Sequence, residues 1–179
     1  PNPTFLIGPE GDFSEKEIIA KPREGRGSRG ILLNPENPNQ LPNGYMIQPL
    51  AKGIEITTAV YVTKQGKLHG LFTMERSLTN GTTTESKVVF QYDDRMTVIA
   101  EKMIALGGLV GSFNIQSIVT TEGEIVPFEI NCRISGTNSI RHNLGFQDVK
   151  YAIQEYLLNE APDEPKPIEG IATRILMDV

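Results

Sequence analysis

The segment from Asn114 to Arg133 constrains this chain most. Apolar and polar residues alternate on both sides of Glu122-Gly123. An X-Gly pair between apolar runs marks a hairpin turn, because Gly takes positive φ at low cost. Leu109–Thr121 and Glu124–Asn131 are then its two strands. Counted outward from a two-residue turn, Gln116 lies opposite Glu129 and Asn114 opposite Asn131. Side chains alternate faces with period two. Gln116, Glu129, Asn114, Asn131 and Arg133 therefore share one face. Phe113, Ile115, Phe128, Ile130 and Cys132 take the other, which is expected to be the core face. Ile118 falls on the polar face against the pattern. A three-residue turn would shift the parity and break the cluster. A carboxylate beside two amides is an all-oxygen set that suits a hard cation such as Mg²⁺. Arg133 on that face is suited to a phosphate oxygen. A half-exposed sheet with ordinary outward polar residues gives the same alternation.

A second hairpin is expected from Ile54–Lys64 and Lys67–Met74 around Gln65-Gly66. Its count sets Glu55 opposite Arg76, which also describes a simple cross-strand ion pair. Between the hairpins, Met96, Ile99, Met103 and Leu106 mark one face of a helix that Gly107-Gly108 ends. Val149, Ile153, Tyr156 and Leu157 mark another, ended near Pro162. Ile18-Ile19-Ala20, Tyr45–Leu50 and Ile171–Met177 are expected strands, and residues 34–44 a loop. Ser14-Glu15-Lys16-Glu17 has a capping-box pattern. The outline is α+β with antiparallel strands.

Charge is uneven along the chain. The 179 residues carry a formal net charge of −5. Yet Lys21, Arg23, Arg26 and Arg29 crowd a segment that also holds Gly25, Gly27 and Gly30 around Ser28. Glycine lets the backbone approach an anion, and successive N–H groups form a nest for it. This balance suits a polyphosphate; a flexible basic loop has the same composition. The segment is neither a Walker A loop nor a Rossmann fingerprint. The single cysteine, Cys132, excludes a disulfide framework and a multi-cysteine zinc site. No apolar run is long enough for a membrane span. Net acidity argues against a general nucleic-acid binder.

Three segments together resemble the ATP-grasp family, nearest to the large chain of carbamoyl-phosphate synthase and related carboxylate–amine ligases. IIAKPREGRGSRGI resembles the lysine strand and glycine-rich phosphate loop. YMIQPLAKGIEITTAVYV resembles the adenine hinge and the strand after it. NIQSIVTTEGEIVPFEINCRISGT resembles the metal-binding hairpin, with its Glu-x-Asn-x-Arg ending. The likeness covers roughly residues 18–160.

The resemblance implies an ATP-grasp-like α+β fold, with a small glycine-loop lid lobe and a larger antiparallel sheet with helices packed on it. It divides the chain into an irregular segment (1–17), a lid lobe (18–50) and a catalytic lobe (51–179). It implies that Lys21, Gly25, Gly27, Ser28 and Gly30 hold ATP phosphates, and that Gln48 and Leu50 hold adenine. Glu55 falls at the ribose and Arg76 faces the nucleotide. Gln116, Glu129 and Asn131 would ligate Mg²⁺ (or Mn²⁺), and Arg133, with Lys21, would serve phosphoryl transfer. Ser135, Gly136, Ser139 and Arg141 lie where the phosphate or acceptor loop continues. Cys132 stands where the family has Pro, and Gln48 where it more often has Glu.

The implied activity is Mg-ATP phosphorylation of a carboxylate to an acyl phosphate, followed by attack of an amine or ammonia. The implied partners are those small molecules, with no nucleic acid and no membrane, in the cytoplasm. A homodimer, or a missing N-terminal α/β domain of about 100 residues, goes with it, and the chain reads as a ligase lacking its first third. His69 and His142 are expected to be structural or surface residues. Two other readings compete: a non-catalytic nucleotide-binding module, and a SAM-dependent rRNA methyltransferase, whose binding loop FLIGPEGDFSEKEI resembles over about 14 residues.

Overall fold

A computed structural model describes residues 17–24, 29–79, 82–173 and 175. The chain divides into two compact units, Pro1–Lys52 and Gly53–Val179.

The first unit is a three-stranded antiparallel sheet in the order β2-β1-β3. Strand β1 is Ile18–Pro22, β2 is Leu32–Leu33 and β3 is Tyr45–Pro49. Ile18, Ala20 and Ile47 form its small buried core, with Leu41 and Tyr45 partly covering it. Asn34 ends β2 in the left-handed region, with φ 46°. Its side-chain oxygen accepts from the Ile18 N–H at 2.8 Å, and its own N–H donates to the Ile18 carbonyl at 2.9 Å. A short polar side chain can bond locally in this way, which offsets the cost of positive φ.

The second unit is a six-stranded antiparallel sheet in the order β8-β7-β4-β5-β6-β9. Its strands are β4 (Gly53–Val62), β5 (Leu68–Thr79), β6 (Thr82–Val88), β7 (Gly111–Thr120), β8 (Ile125–Asn131) and β9 (Ile171–Thr173). Helix α1 (Asp93–Ala105) covers one face, and α2 (Asn138–Asn143) and α3 (Asp148–Ile153) serve the other. Ile56, Val60, Phe113 and Ile115 pack with Met96 and Ala100 on the α1 side. Ala59, Tyr61, Phe72 and Met74 pack with Phe146 and Tyr151 on the opposite side. Strand β4 is central and buried on both faces from Ile56 onward. That is why its sequence, ITTAVYV, runs apolar without clean alternation.

Both hairpins depart from the two-residue turn expected of them. The Thr63 N–H bonds the Lys67 carbonyl and the Thr120 N–H bonds the Glu124 carbonyl. Each turn therefore holds three residues and ends in Gly66 or Gly123, at φ 75° and 84°. The register is thus one residue off beside each turn, where Val62 faces Leu68 and Ser117 faces Pro127. A bulge then restores it. His69 is the extra residue in β5, and Phe128 in β8. Beyond the bulges Gln116 faces Glu129 and Asn114 faces Asn131, as counted from the sequence. Two opposite one-residue offsets cancel.

Four other expectations are corrected. Helix α1 buries Met96 and Ala100, while Leu106 is 88% exposed at its C-terminus because the helix ends there before Gly107. The second helical stretch continues α3 into a π-helical turn, Gln154–Leu158, and buries the opposite face. Tyr151, Gln154 and Glu155 are buried, whereas Val149, Ile153, Tyr156 and Leu157 are exposed. Tyr151 packs edge-on against Phe146 and Tyr61, and Glu155 accepts from the Tyr61 hydroxyl at 2.9 Å. Burial pushes the pKa of that hydroxyl up, and the Glu155 bond pushes it further. Cys132 and Ile130 are exposed rather than in the core, because β8 is the sheet's edge strand and ends at Asn131. The structural or surface role expected of His69 holds, by contrast, as its Nε2 lies 2.9 Å from the Asp163 carbonyl. The last strand is described over Ile171–Thr173 and Ile175 is not part of a strand; residues 174, 176 and 177 of the expected span lie outside the described residues, as does most of the capping box.

Candidate active site

In the first unit, strand pairing sets Lys21 opposite Met46 and Ile19 opposite Gln48. Lys21 and Gln48 therefore occupy the face opposite Ala20 and Ile47, the core pair. Gln48 is nonetheless buried. Leu50 follows β3, and its N–H donates to the Glu17 carbonyl at 2.8 Å. Gly30 has φ 75°, and a Cβ there would lie 3.1 Å from both the Pro22 ring and the Tyr45 hydroxyl. Gly25, Gly27 and Ser28 lie outside the described residues, as does the methyltransferase-like segment up to residue 16.

The second unit gathers the remaining candidates on one face of its sheet. Gln116 on β7 pairs with Thr57 on one side and Glu129 on the other. Asn131 Nδ2 donates to Glu129 Oε1 at 2.9 Å. Gln116 and Asn131 are half-buried and Glu129 is exposed. Glu129 and Asn131 thus stand on the edge strand and Gln116 on the strand beside it, with the Glu129 side chain open to solvent. Asn114 shares the face but is buried, its amide bonded to the Thr57 hydroxyl within 2.9 Å. Arg133 is exposed beyond the strand end; its N–H donates to the Asn131 carbonyl at 2.8 Å.

Glu55 and Arg76 occur on the same face, two strands in. The Arg76 Nε and Nη2 both donate to Glu55 Oε1, the former at 3.0 Å. Both side chains are largely covered. The two therefore neutralise each other, as the simpler reading of that hairpin had it.

The expected oxygen set fits a hard cation by donor type. Glu129 supplies a charged oxygen, and Gln116 and Asn131 supply amide oxygens. Rotating the Asn131 amide would turn its oxygen outward, since amide orientation follows the bonding network. Among the described residues no group of three His, Cys, Asp or Glu side chains is gathered for a metal, so any cation here relies on amides.

Arg141 departs from its expected place in a ligand loop. It is buried and paired with Asp148. The sequence reading missed Asp148 and Ser112, which complete this network, because neither stands in a recognisable spacing. It also missed Asp93, whose Oδ1 is buried without a partner. Burial pushes the Asp93 carboxyl up to about 6, against a Thr73 hydrogen bond that lowers it.

The fold is the ATP-grasp fold. An N5-carboxyaminoimidazole synthetase from Staphylococcus aureus, complexed with ADP, superposes with a TM-score of 0.75 at 13% identity, covering 98% of this chain and 52% of that one. The N5-carboxyaminoimidazole ribonucleotide synthetase from Thermus thermophilus gives 0.69 at 15% identity, covering 93% and 50%. A putative ATP-grasp superfamily protein from Archaeoglobus fulgidus gives 0.57 at 16%, covering 92% and 50%. The chain spans about half the length of these solved structures. A domain of unknown function (DUF1297) matches residues 82–158. No curated protein matches the chain in sequence. No helix among the described residues is long and apolar enough to cross a membrane.

Proposed function

We propose that this chain is the nucleotide-binding and catalytic part of an ATP-dependent carboxylate–amine ligase. The observation that carries the reading is the row of Gln116, Glu129 and Asn131, aligned across β7 and β8. The fold supports it, as do the ADP and ATP named with several similar structures. Lys21, Gly30 and the glycine loop with Gly25, Gly27 and Ser28 bind phosphates. Gln48 and Leu50 meet the adenine, and Glu55, steadied by Arg76, meets the ribose. Gln116, Glu129 and Asn131 hold Mg²⁺, which when bound offsets phosphate charge. Arg133 binds the transferred phosphoryl group and stabilises charge that develops on it.

The acceptor is a carboxylate, converted to an acyl phosphate and then attacked by an amine or ammonia. The Glu129-x-Asn131-x-Arg133 order supports the finer, carbamoyl-phosphate-synthase-like form of this chemistry. No protein nucleophile is needed, which agrees with an exposed Cys132 outside any buried cluster. The setting is cytoplasmic.

ATP turnover across a panel of small carboxylates, with ammonia present, tests the reading. Carboxylate-dependent ADP release in wild type, lost in Arg133→Ala, is the expected result. Nucleotide binding without turnover for every acceptor would favour a binding module instead.

A further inference from the structure

Helix α3 and the π-helical turn after it carry their polarity reversed. Gln154 and Glu155 are buried, and both are committed inside. Gln154 Oε1 accepts from the Asp163 N–H at 3.0 Å. Glu155 accepts from the Tyr61 hydroxyl at 2.9 Å and from the Lys64 N–H at 3.3 Å. Val149, Ile153, Tyr156 and Leu157 are left outside, Leu157 with 74% of its surface exposed. They follow one another at spacings of 4, 3 and 1, which makes a single stripe. The helix of a lone domain turns such a stripe toward its own core. Single π-helical turns also concentrate at functional sites.

Area and shape both bear on what covers the stripe. At their exposures the four side chains leave on the order of 400 Å² of apolar surface in water, a patch of the size that is often functional. Taken on two copies, with the recess beside it, this comes to about 1,000 Å², the floor for a specific interface. That recess opens between α2 and α3 and holds about 300 Å³. Val149 and Ile153 stand on its α3 wall, and Asn138, Ser139 and His142 on its α2 wall. An apolar cavity of about 150 Å³ holds a benzene ring, so a leucine side chain fits here. Leu157 projects one turn beyond Ile153. One surface thus carries a knob and, next to it, a hole for that knob. Such a surface satisfies itself when a second copy is turned onto it by a two-fold axis. The rim is polar, as at other interfaces. Lys150 is tied to Asp163 at 2.6 Å, and Lys64 bonds Asn159 and lies over the Tyr156 ring. These cations are matched before any association, and the stripe itself holds no charge.

We propose that α3 and its π-helical turn form the interface of a two-fold dimer of this chain, in which Leu157 of each copy enters the recess between α2 and α3 of the other. The pairing needs neither cation nor nucleotide, so it does not depend on the ligase reading.

Sedimentation of the full chain over a range of concentrations, without ligand, tests this. A reversible dimer with Kd of micromolar order is expected from an interface of this size. Leu157→Asp removes the anchor and sets a charge against the recess; it should raise Kd about thirtyfold or more. Its melting temperature at a concentration where both proteins are monomers should match wild type, since Leu157 is exposed. Leu106→Asp, on the equally exposed end of α1, should change Kd less than about twofold. In a mixed sample of labelled and unlabelled chains, isotope-filtered nuclear Overhauser effects should join the Leu157 methyls of one copy to Val149 and Ile153 of the other. A chain that stays monomeric up to about 1 mM overturns the proposal. So does an assembly larger than a dimer, an unchanged Kd in Leu157→Asp, an equal loss in Leu106→Asp, or a dimer lacking those intermolecular contacts.

Discussion

The hairpins β4–β5 and β7–β8 share one construction and differ in what surrounds them. Each has a three-residue turn ending in a positive-φ glycine, and each corrects its register with one bulge. The first lies at the centre of the sheet, and its acid, Glu55, is matched by Arg76. The second lies at the edge, and Glu129 there forms no ion pair among the described residues, only an amide bond to Asn131. A carboxylate with its own guanidinium has little left to offer a cation. A carboxylate among amides keeps its full charge for one. Position in the sheet, rather than local geometry, separates the ion-paired acid from the candidate cation ligand.

The largest test of that contrast is Glu129→Ala. Ligand that binds only the folded state stabilises it, by about 2.7 kcal/mol at one hundred times Kd. The Mg²⁺-dependent part of stabilisation by Mg·ATP should vanish in this variant, as read by thermal melting with and without chelator. Arg76→Met follows in size. It leaves Glu55 partly buried without its partner and should cost about 2 kcal/mol in urea unfolding, less than the full penalty of a buried ion. A cost near zero would put Glu55 in the same class as Glu129.

Gly66→Ala and Gly123→Ala should each cost about 1 kcal/mol, since an added Cβ meets nothing within 4 Å at either site and only left-handed strain remains. Unequal costs would break the likeness between the hairpins. The smallest effect is expected on the α1 face. Asp93 has its folded-state pKa raised to about 6, so its stabilising contribution is present at low pH and is lost as pH rises from about 4 to about 6. Partial exposure keeps the effect below about 1 kcal/mol. Asp93→Asn should flatten that slope and be more stable than wild type at pH 7.

The polar row of Gln116, Glu129 and Asn131 was legible in the sequence because alternation survives wherever one face is polar. It reached the correct pairing of Gln116 with Glu129 through a turn and a bulge that offset one another, neither of which alternation reveals. Cys132 and Ile130 were misplaced because edge position is set by strand order, which is a long-range property. The buried face of α3 was misread because Tyr151 and Glu155 owe their burial to Tyr61, ninety-odd residues earlier, and not to local periodicity. Arg141 looked like a ligand for the same reason: a charged residue in a polar loop shows its partner, Asp148, only in the fold.

The central claim is that Gln116, Glu129 and Asn131 form a cation site used with nucleotide. The most direct measurement replaces Mg²⁺ with paramagnetic Mn²⁺ in the presence of ADP and records the side-chain amide resonances. Gln116 and Asn131 should broaden beyond detection in wild type and remain sharp in Glu129→Ala. Sharp resonances for both in wild type at saturating Mn·ADP would contradict the account.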